Sequence, residues 1–211
     1  PKRIDNVNNV ILPNLNFKPR TKIFNAFLKK YVNKEELIKN NKLNYRTTLN
    51  EGQIACHISH LSVMELFLKT NYKYCLIFED DLKQPKKMDY NLYINKILNY
   101  IDTDTDLIYL GSCYNSCNRD QQTSFKGLKR CFRPLCRHAY IVSKEGALKI
   151  LNNYNTIPQL SAGDVTIGAM ILNNQLKSYC LSPGLFFQNR EELGTNLGNV
   201  NPIQFCTANP L

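Results

Sequence analysis

The chain has no apolar run approaching the roughly 18–20 residues of a membrane span, so no segment reads as transmembrane. It opens on Pro1 without a signal-like stretch, and the expectation is a trimmed or partial chain whose address is not visible. Acidic residues are scarce beside basic ones, 17 against 27, which gives a formal net charge of +10 and a pI near 9.2. That balance favours anionic partners: nucleotide-sugars, nucleic acid or an acidic membrane face. Yet no long Lys/Arg block is present, and GLKRCFRPLCR is the densest basic patch. The nucleic-acid signal is therefore not strong, and a basic nucleic-acid-binding protein stands only as an alternative. Internal repeats and a clear linker are also missing. With 43% hydrophobic and 21% charged residues, 211 positions read as one globular domain spanning 1–211.

Several segments have a clear period. From EGQIACHISHLSVMELFLKTN, the residues Ile54, Ile58, Leu61, Met64 and Leu68 recur at intervals of three and four, as an amphipathic helix requires. YKYCLIF, DLIYLGS, HAYIVS and LKSYCLSP read as strands, the first as a buried parallel one and the second as buried. LYINKILNYI, KEGALKILNNY and GDVTIGAMILNNQ read as helices, with Ser143 the N-cap of the second. Residues 22–27, KIFNAF, read as a short strand, and a short helix is expected about KEELIKN. Residues 1–20 read as a helical or loop-like start, 112–136 as a protruding Cys-rich hairpin or loop, and the stretch after 184 as an irregular tail. Strands alternating with helices predict an α/β domain with a largely parallel sheet.

The first of these strands ends on three consecutive acids, Glu79, Asp80 and Asp81. Adjacent carboxylates repel, and a metal ion, a ribose hydroxyl pair or exposure to water would each offset that cost. In open α/β sheets ligands gather at the carboxyl ends of strands. Hard oxygen donors there suit Mn2+ or Mg2+, which would neutralise a diphosphate; the alternative is a charged turn leaving a strand. Cys56 and Cys75 lie in apolar surroundings and read as small buried hydrophobes. Cys113, Cys117, Cys131 and Cys136 form C-x3-C and C-x4-C pairs. A zinc site, disulfides or reduced thiols are all open for them, with structural zinc disfavoured because the spacing is looser than a C-x2-C knuckle. Disulfides in the Cys113–Cys136 region would place the protein in an ER or Golgi lumen, and reduced thiols in the cytoplasm or at a membrane periphery.

Four segments in register resemble glycosyltransferase family 25, the lipooligosaccharide and procollagen galactosyltransferase group. Gly52-Gln53-Ile54-Ala55-Cys56-His57-Ile58-Ser59-His60-Leu61 is similar to G-E-I-G-C-x-x-S-H-L, and Leu76-Ile77-Phe78-Glu79-Asp80-Asp81 to an apolar strand ending E-D-D. Asp106 to Gly111 resembles D-x-x-x-L-G, and His138 to Ser143 with Glu145-Gly146-Ala147 resembles H-A-Y-x-x-S-x-E-G-A. Order and spacing agree over roughly residues 50–190. The resemblance implies a GT-A-type (nucleotide-diphospho-sugar transferase) open sheet flanked by helices. It also implies a UDP-sugar donor, often UDP-galactose, and inverting transfer to a glycan, protein or lipid-linked acceptor.

Site residues follow from the same resemblance. Asp81 is expected as the metal ligand, with Glu79 and, on the far side, Gln188. Glu79, Asp80, Gly52, Ser59, His60 and Arg3 are expected at the donor. Pro1-Lys2-Arg3 resembles the basic residues that follow the family's first strand, so that strand, which helps hold the uridine, is expected to be absent from this chain. Asp164 matches an acid at a helix start and is the candidate base; its alternative is an N-cap. Arg190 and Glu191 sit where the family closes its site. His60 is expected to fix the acidic loop through a hydrogen bond, and His57-x-x-His60 has a zinc-like spacing without an acid nearby in sequence. Gln53 and Ala55 depart from the family's Glu and Gly. A catalytically inactive GT-A-like binding or structural module is therefore the second reading.

Overall fold

The computed structural model describes residues 2–15, 21–83, 88–113 and 119–194. Among the described residues six strands form one sheet: β1 (Tyr74–Phe78), β2 (Leu107–Gly111), β3 (Gln121–Gln122), β4 (Leu128–Arg130), β5 (Ala139–Ser143) and β6 (Ser178–Leu181), in the order β1-β5-β2-β6-β4-β3. Side-chain alternation on the central strands sets up two apolar layers. Leu107 and Tyr109 of β2 and Tyr140 and Val142 of β5 enter one cluster; Ile108, Leu110, Ala139 and Ile141 enter the other.

Helices α4 (Glu51–Leu68), α6 (Lys144–Thr156) and α7 (Gly163–Leu172) cover the first face with Leu61, Met64, Phe67, Ile150, Ile167 and Met170. The second face receives Tyr90, Ile94 and Ile97 of α5 (Tyr90–Tyr100), together with Ile11, Leu15 and Phe186. The chain start supplies the last contributions through α1 (Lys2–Asn6), a π-helical turn at Val7–Ile11 and α2 (Leu12–Leu15). Helix starts carry the caps their sequences offer. Asn50 and Gln53 form a reciprocal capping box on α4, Ser143 accepts from the Gly146 amide, and Asp89 from the Leu92 amide. Each such cap contributes about 1 kcal/mol.

The largely parallel sheet expected above is corrected to a mixed one. Of the strand pairs, β2–β6 is parallel, while β1–β5, β2–β5, β3–β4 and β4–β6 are antiparallel. The reason is physical: a continuous apolar run reports burial on both faces and carries no information about the direction of its neighbours. Residues 22–27, expected as a strand, form none and pair with nothing in the described sheet. Their backbone is fastened instead by the Phe27 amide, which donates to Ser59 Oγ at 2.9 Å. Residues 121–130, expected within a protruding hairpin, join the sheet edge through β3 and β4. The short helix near 34–40 is present as α3 (Lys34–Lys39), capped by Asn33.

Candidate functional site

Strand direction brings the site together. β1, β2 and β6 run the same way and β5 runs against them, so three carboxyl ends meet the amino end of β5. Glu79, Asp80 and Asp81 leave β1 there, Cys113 follows β2, Arg137 and His138 precede β5, and residues 184–188 follow β6. Gly111 makes the crossing possible, because a Cβ at that position would collide with the Phe186 carbonyl and the His138 ring. The returning segment is then stitched to the acids: the Asn189 amide donates to the Asp81 carbonyl at 2.6 Å and the Lys83 amide to the Phe187 carbonyl at 2.7 Å.

Two side chains hold the carboxylates. Gln188 Nε2 donates to Glu79 Oε2 at 3.2 Å and to Asp81 Oδ2 at 3.3 Å. Its oxygen is turned away, accepting from Arg190 Nη2 at 2.6 Å, which fixes the amide with its hydrogens toward the acids. In that orientation Gln188 orients the carboxylates rather than offering an oxygen beside them. Arg3 Nη1 pairs with Asp80 Oδ1 at 2.5 Å, and its Nη2 reaches Asp81 Oδ2 at 3.4 Å. Burial, then the charge of Glu79, pushes the Asp81 carboxyl up to about 6; burial first also raises Glu79. Both carboxyls thus resist ionisation without a neighbouring cation, and their oxygens are of the hard type that divalent ions take.

Behind Glu79 stands α4. His60 Nε2 lies 3.0 Å from Glu79 Oε1, and its Nδ1 lies 3.0 Å from the Tyr140 hydroxyl. Burial, more than any neighbouring charge, holds the His60 ring well below the usual histidine range. The expected hydrogen bond from His60 to the acidic loop is therefore present. His57 points elsewhere: Arg137 Nη1 donates to its Nδ1 at 3.2 Å, and its ring packs edge-on against Tyr154. The His57-x-x-His60 spacing does not converge on one metal. A Cβ at Gly163 would overlap both His57 and Arg137, so α7 can approach this pair only through glycine.

The remaining predicted residues divide. Asp164 lies in the first turn of α7, whose N-cap is Ala162 rather than Asp164. Its Oδ2 accepts from the Cys136 amide at 3.0 Å and its Oδ1 from the Val165 amide at 2.9 Å, which sets the carboxylate beside the strand ends. Ser59 is spent on structure, accepting from Phe27 and donating to the Ala55 carbonyl at 2.8 Å. Gly52 sits in the first turn of α4, and no contact described here joins it to the acids. Gln53, the departure from the family pattern, completes the capping box of that helix, a role glutamine and glutamate share. Cys113 pairs with Cys136, and Cys131 with Cys180 outside the four-cysteine set; Cys117 lies outside the described residues. The sulfurs of Cys113, Cys131 and Cys136 are thus engaged in disulfides rather than available to a zinc ion. Arg137, Tyr140 and Cys56 join the same cluster of contacts, through His57, His60 and Glu79. A spacing signal existed for Cys56, four residues before His60 on one helix face; Arg137 had none.

Residues 13–167 match the model of Glycosyltransferase family 25 (LPS biosynthesis protein), well over half of the chain. The matched span contains Glu79, Asp81 and Asp164, whereas Arg3 and Gln188 fall outside it. No curated protein matches the chain. The chain belongs to glycosyltransferase family 25 and is a glycosyltransferase, with a mixed open sheet flanked by helices consistent with a GT-A-like fold.

Proposed function

We propose that the chain transfers a sugar, galactose in the first instance, from a UDP-sugar to an acceptor hydroxyl with inversion. The observation that carries this reading is the convergence of Glu79, Asp81, Gln188 and Arg3 at the carboxyl end of β1. Bound Mn2+ or Mg2+ would neutralise the diphosphate charge and stabilise the departing UDP. Asp81 and Glu79 supply the oxygens that would hold it, and Gln188 keeps both carboxylates in place from the opposite side. Arg3 supplies the positive charge facing the diphosphate once it leaves Asp80.

Asp164 takes the acceptor proton. The acceptor oxygen forms its bond to the anomeric carbon as the bond to the UDP oxygen breaks, and the released proton ends on an Asp164 carboxylate oxygen. Amide donors from Cys136 and Val165 hold that carboxylate in position. The disulfides Cys113–Cys136 and Cys131–Cys180 support an oxidising compartment, such as the ER or Golgi lumen, as the place of action.

A thermal-shift screen of nucleotides with and without manganese tests the donor assignment, since ligands of the folded state raise its apparent stability. UDP and UDP-galactose are expected to raise the melting temperature only with manganese, and more than ADP or GDP do. No manganese-dependent preference for uridine nucleotides would overturn the assignment.

A further inference from the structure

Glu79 has two faces. Its Oε2 is held by Gln188 beside Asp81, while its Oε1 turns into the domain toward α4. On that inner side Oε1 lies 3.0 Å from His60 Nε2 and 4.0 Å from Cys56 Sγ. All three candidate ligand atoms fall within 4.8 Å of one another. Cys56 and His60 stand one helical turn apart on the same side of α4, and Glu79 comes from the end of β1, so two rigid elements set the triangle.

We propose that Cys56, His60 and Glu79 form a binding site for a thiophilic divalent ion of the zinc class, which shares Glu79 with the oxygen cluster around Asp81 but takes its inner oxygen, Oε1, rather than Oε2. Its test reads the metal alone and does not depend on the glycosyl-transfer reading. Tetrahedral zinc, with bonds of about 2.3 Å to sulfur and about 2.0 Å to nitrogen and oxygen, separates S from O by about 3.5 Å and N from O by about 3.3 Å. The S···O distance present is longer than this by about 0.5 Å and the N···O distance shorter by about 0.3 Å. Thiolate and imidazole select against manganese and magnesium, so the two sites differ in the metals they take. One thiolate and one carboxylate offset the charge of a divalent ion, while Arg137 adds a positive charge nearby and Asp164 and Asp81 negative ones. Tyr140 completes the arrangement by meeting His60 Nδ1 at 3.0 Å, as outer partners of metal-bound histidines do.

The proton balance is explicit. Cys56 loses its S–H proton to solvent as its sulfur binds the ion. On binding, His60 changes tautomer: the Nε2 proton that it donates to Glu79 in the metal-free protein leaves to solvent, Nδ1 takes up a proton from solvent and donates it to the Tyr140 oxygen, and Nε2 presents its lone pair to the ion. A water molecule in the fourth position completes the tetrahedron, as in zinc sites with three protein ligands.

Cobalt titration of the whole oxidised chain reads the site without any activity assay. The wild type is expected to show near-ultraviolet sulfur-to-cobalt charge transfer and the visible bands of tetrahedral Co2+, both abolished by zinc. Cys56→Ser is expected to lose the charge-transfer band, and Asp81→Ala to keep it. A wild type without that band, a Cys56→Ser band of undiminished size, or loss of the band in Asp81→Ala would each overturn the proposal. If Cys56→Ser does not fold, X-ray absorption of the zinc-loaded wild type decides. One sulfur at about 2.3 Å with nitrogen and oxygen at about 2.0 Å supports the site, and a shell of nitrogen and oxygen alone overturns it.

Discussion

Gln188 Nε2 stands 3.3 Å from Asp81 Oδ2, across 107 residues of chain. The pairing depends on a hydrogen bond to a charged group, which contributes about 1.5–3 kcal/mol. Gln188→Ala should therefore raise the donor KM roughly 10-fold to 100-fold, and loss of the same bond should lower the melting temperature by roughly 3–12 °C. Steady-state kinetics together with thermal unfolding checks this. An unchanged KM would mean that the amide does not organise the acids.

Asp81 is a cost to the metal-free fold. Its carboxyl titrates near 6 when folded and near 3.8 as the ordinary value. The native state thus holds more protons than the unfolded chain between those values, and stability falls as pH rises through the interval. Above pH 6 the loss amounts to about 3 kcal/mol at most. Asp81→Asn in the presence of a chelator should be the more stable protein at pH 7.5, with the advantage gone near pH 3.5. Denaturant titrations at the two pH values measure it, and a variant less stable than wild type at pH 7.5 would contradict it.

The Cys113–Cys136 bond closes a 23-residue separation and lies against Arg190, whose Nη2 is 3.9 and 3.8 Å from its two sulfurs. Its loss should cost about 3 kcal/mol, a fall of roughly 6–12 °C in melting temperature for a chain of this size. Cys136 also adopts φ 66°, a conformation that the crosslink and the Asp164 bond help to hold. Paired Cys113→Ser and Cys136→Ser substitutions should lower kcat as Asp164 loses its fixed donor. Retained kcat at an assay temperature well below the lowered melting point would separate the disulfide from the site.

Ser59 anchors residues 21–28 through a hydrogen bond of about 1 kcal/mol. Ser59→Ala should open that segment about fivefold more often, and tryptic cleavage at Lys22, Lys29 and Lys30 should quicken accordingly. Equal cleavage rates in the two proteins would show that the segment is held by other contacts.

The sequence made the elements legible wherever period and caps agreed. Ser143, Asn50 with Gln53, and the apolar series through Leu61 and Met64 marked helices that are present. The acid cluster at the end of β1 was legible for the same reason, since an apolar run followed by acids defines a strand end. Strand direction was not, because Tyr140 and Val142 pack the same way in either orientation. Nor was the partnership of Gln188 with Asp81, which depends on where a loop after β6 crosses Gly111. Arg137 carried no local pattern at all: its role comes from facing His57 across 80 residues. Ser59 and Gln53 show the opposite case, motif positions whose side chains serve a backbone amide and a helix cap.

Assaying UDP release from UDP-galactose by the wild type and by Asp81→Ala, with manganese and with chelator, tests the central claim most directly. The account predicts manganese-dependent release by the wild type, no release by Asp81→Ala, and an unfolding transition retained in both. Release by Asp81→Ala at the wild-type rate would contradict it.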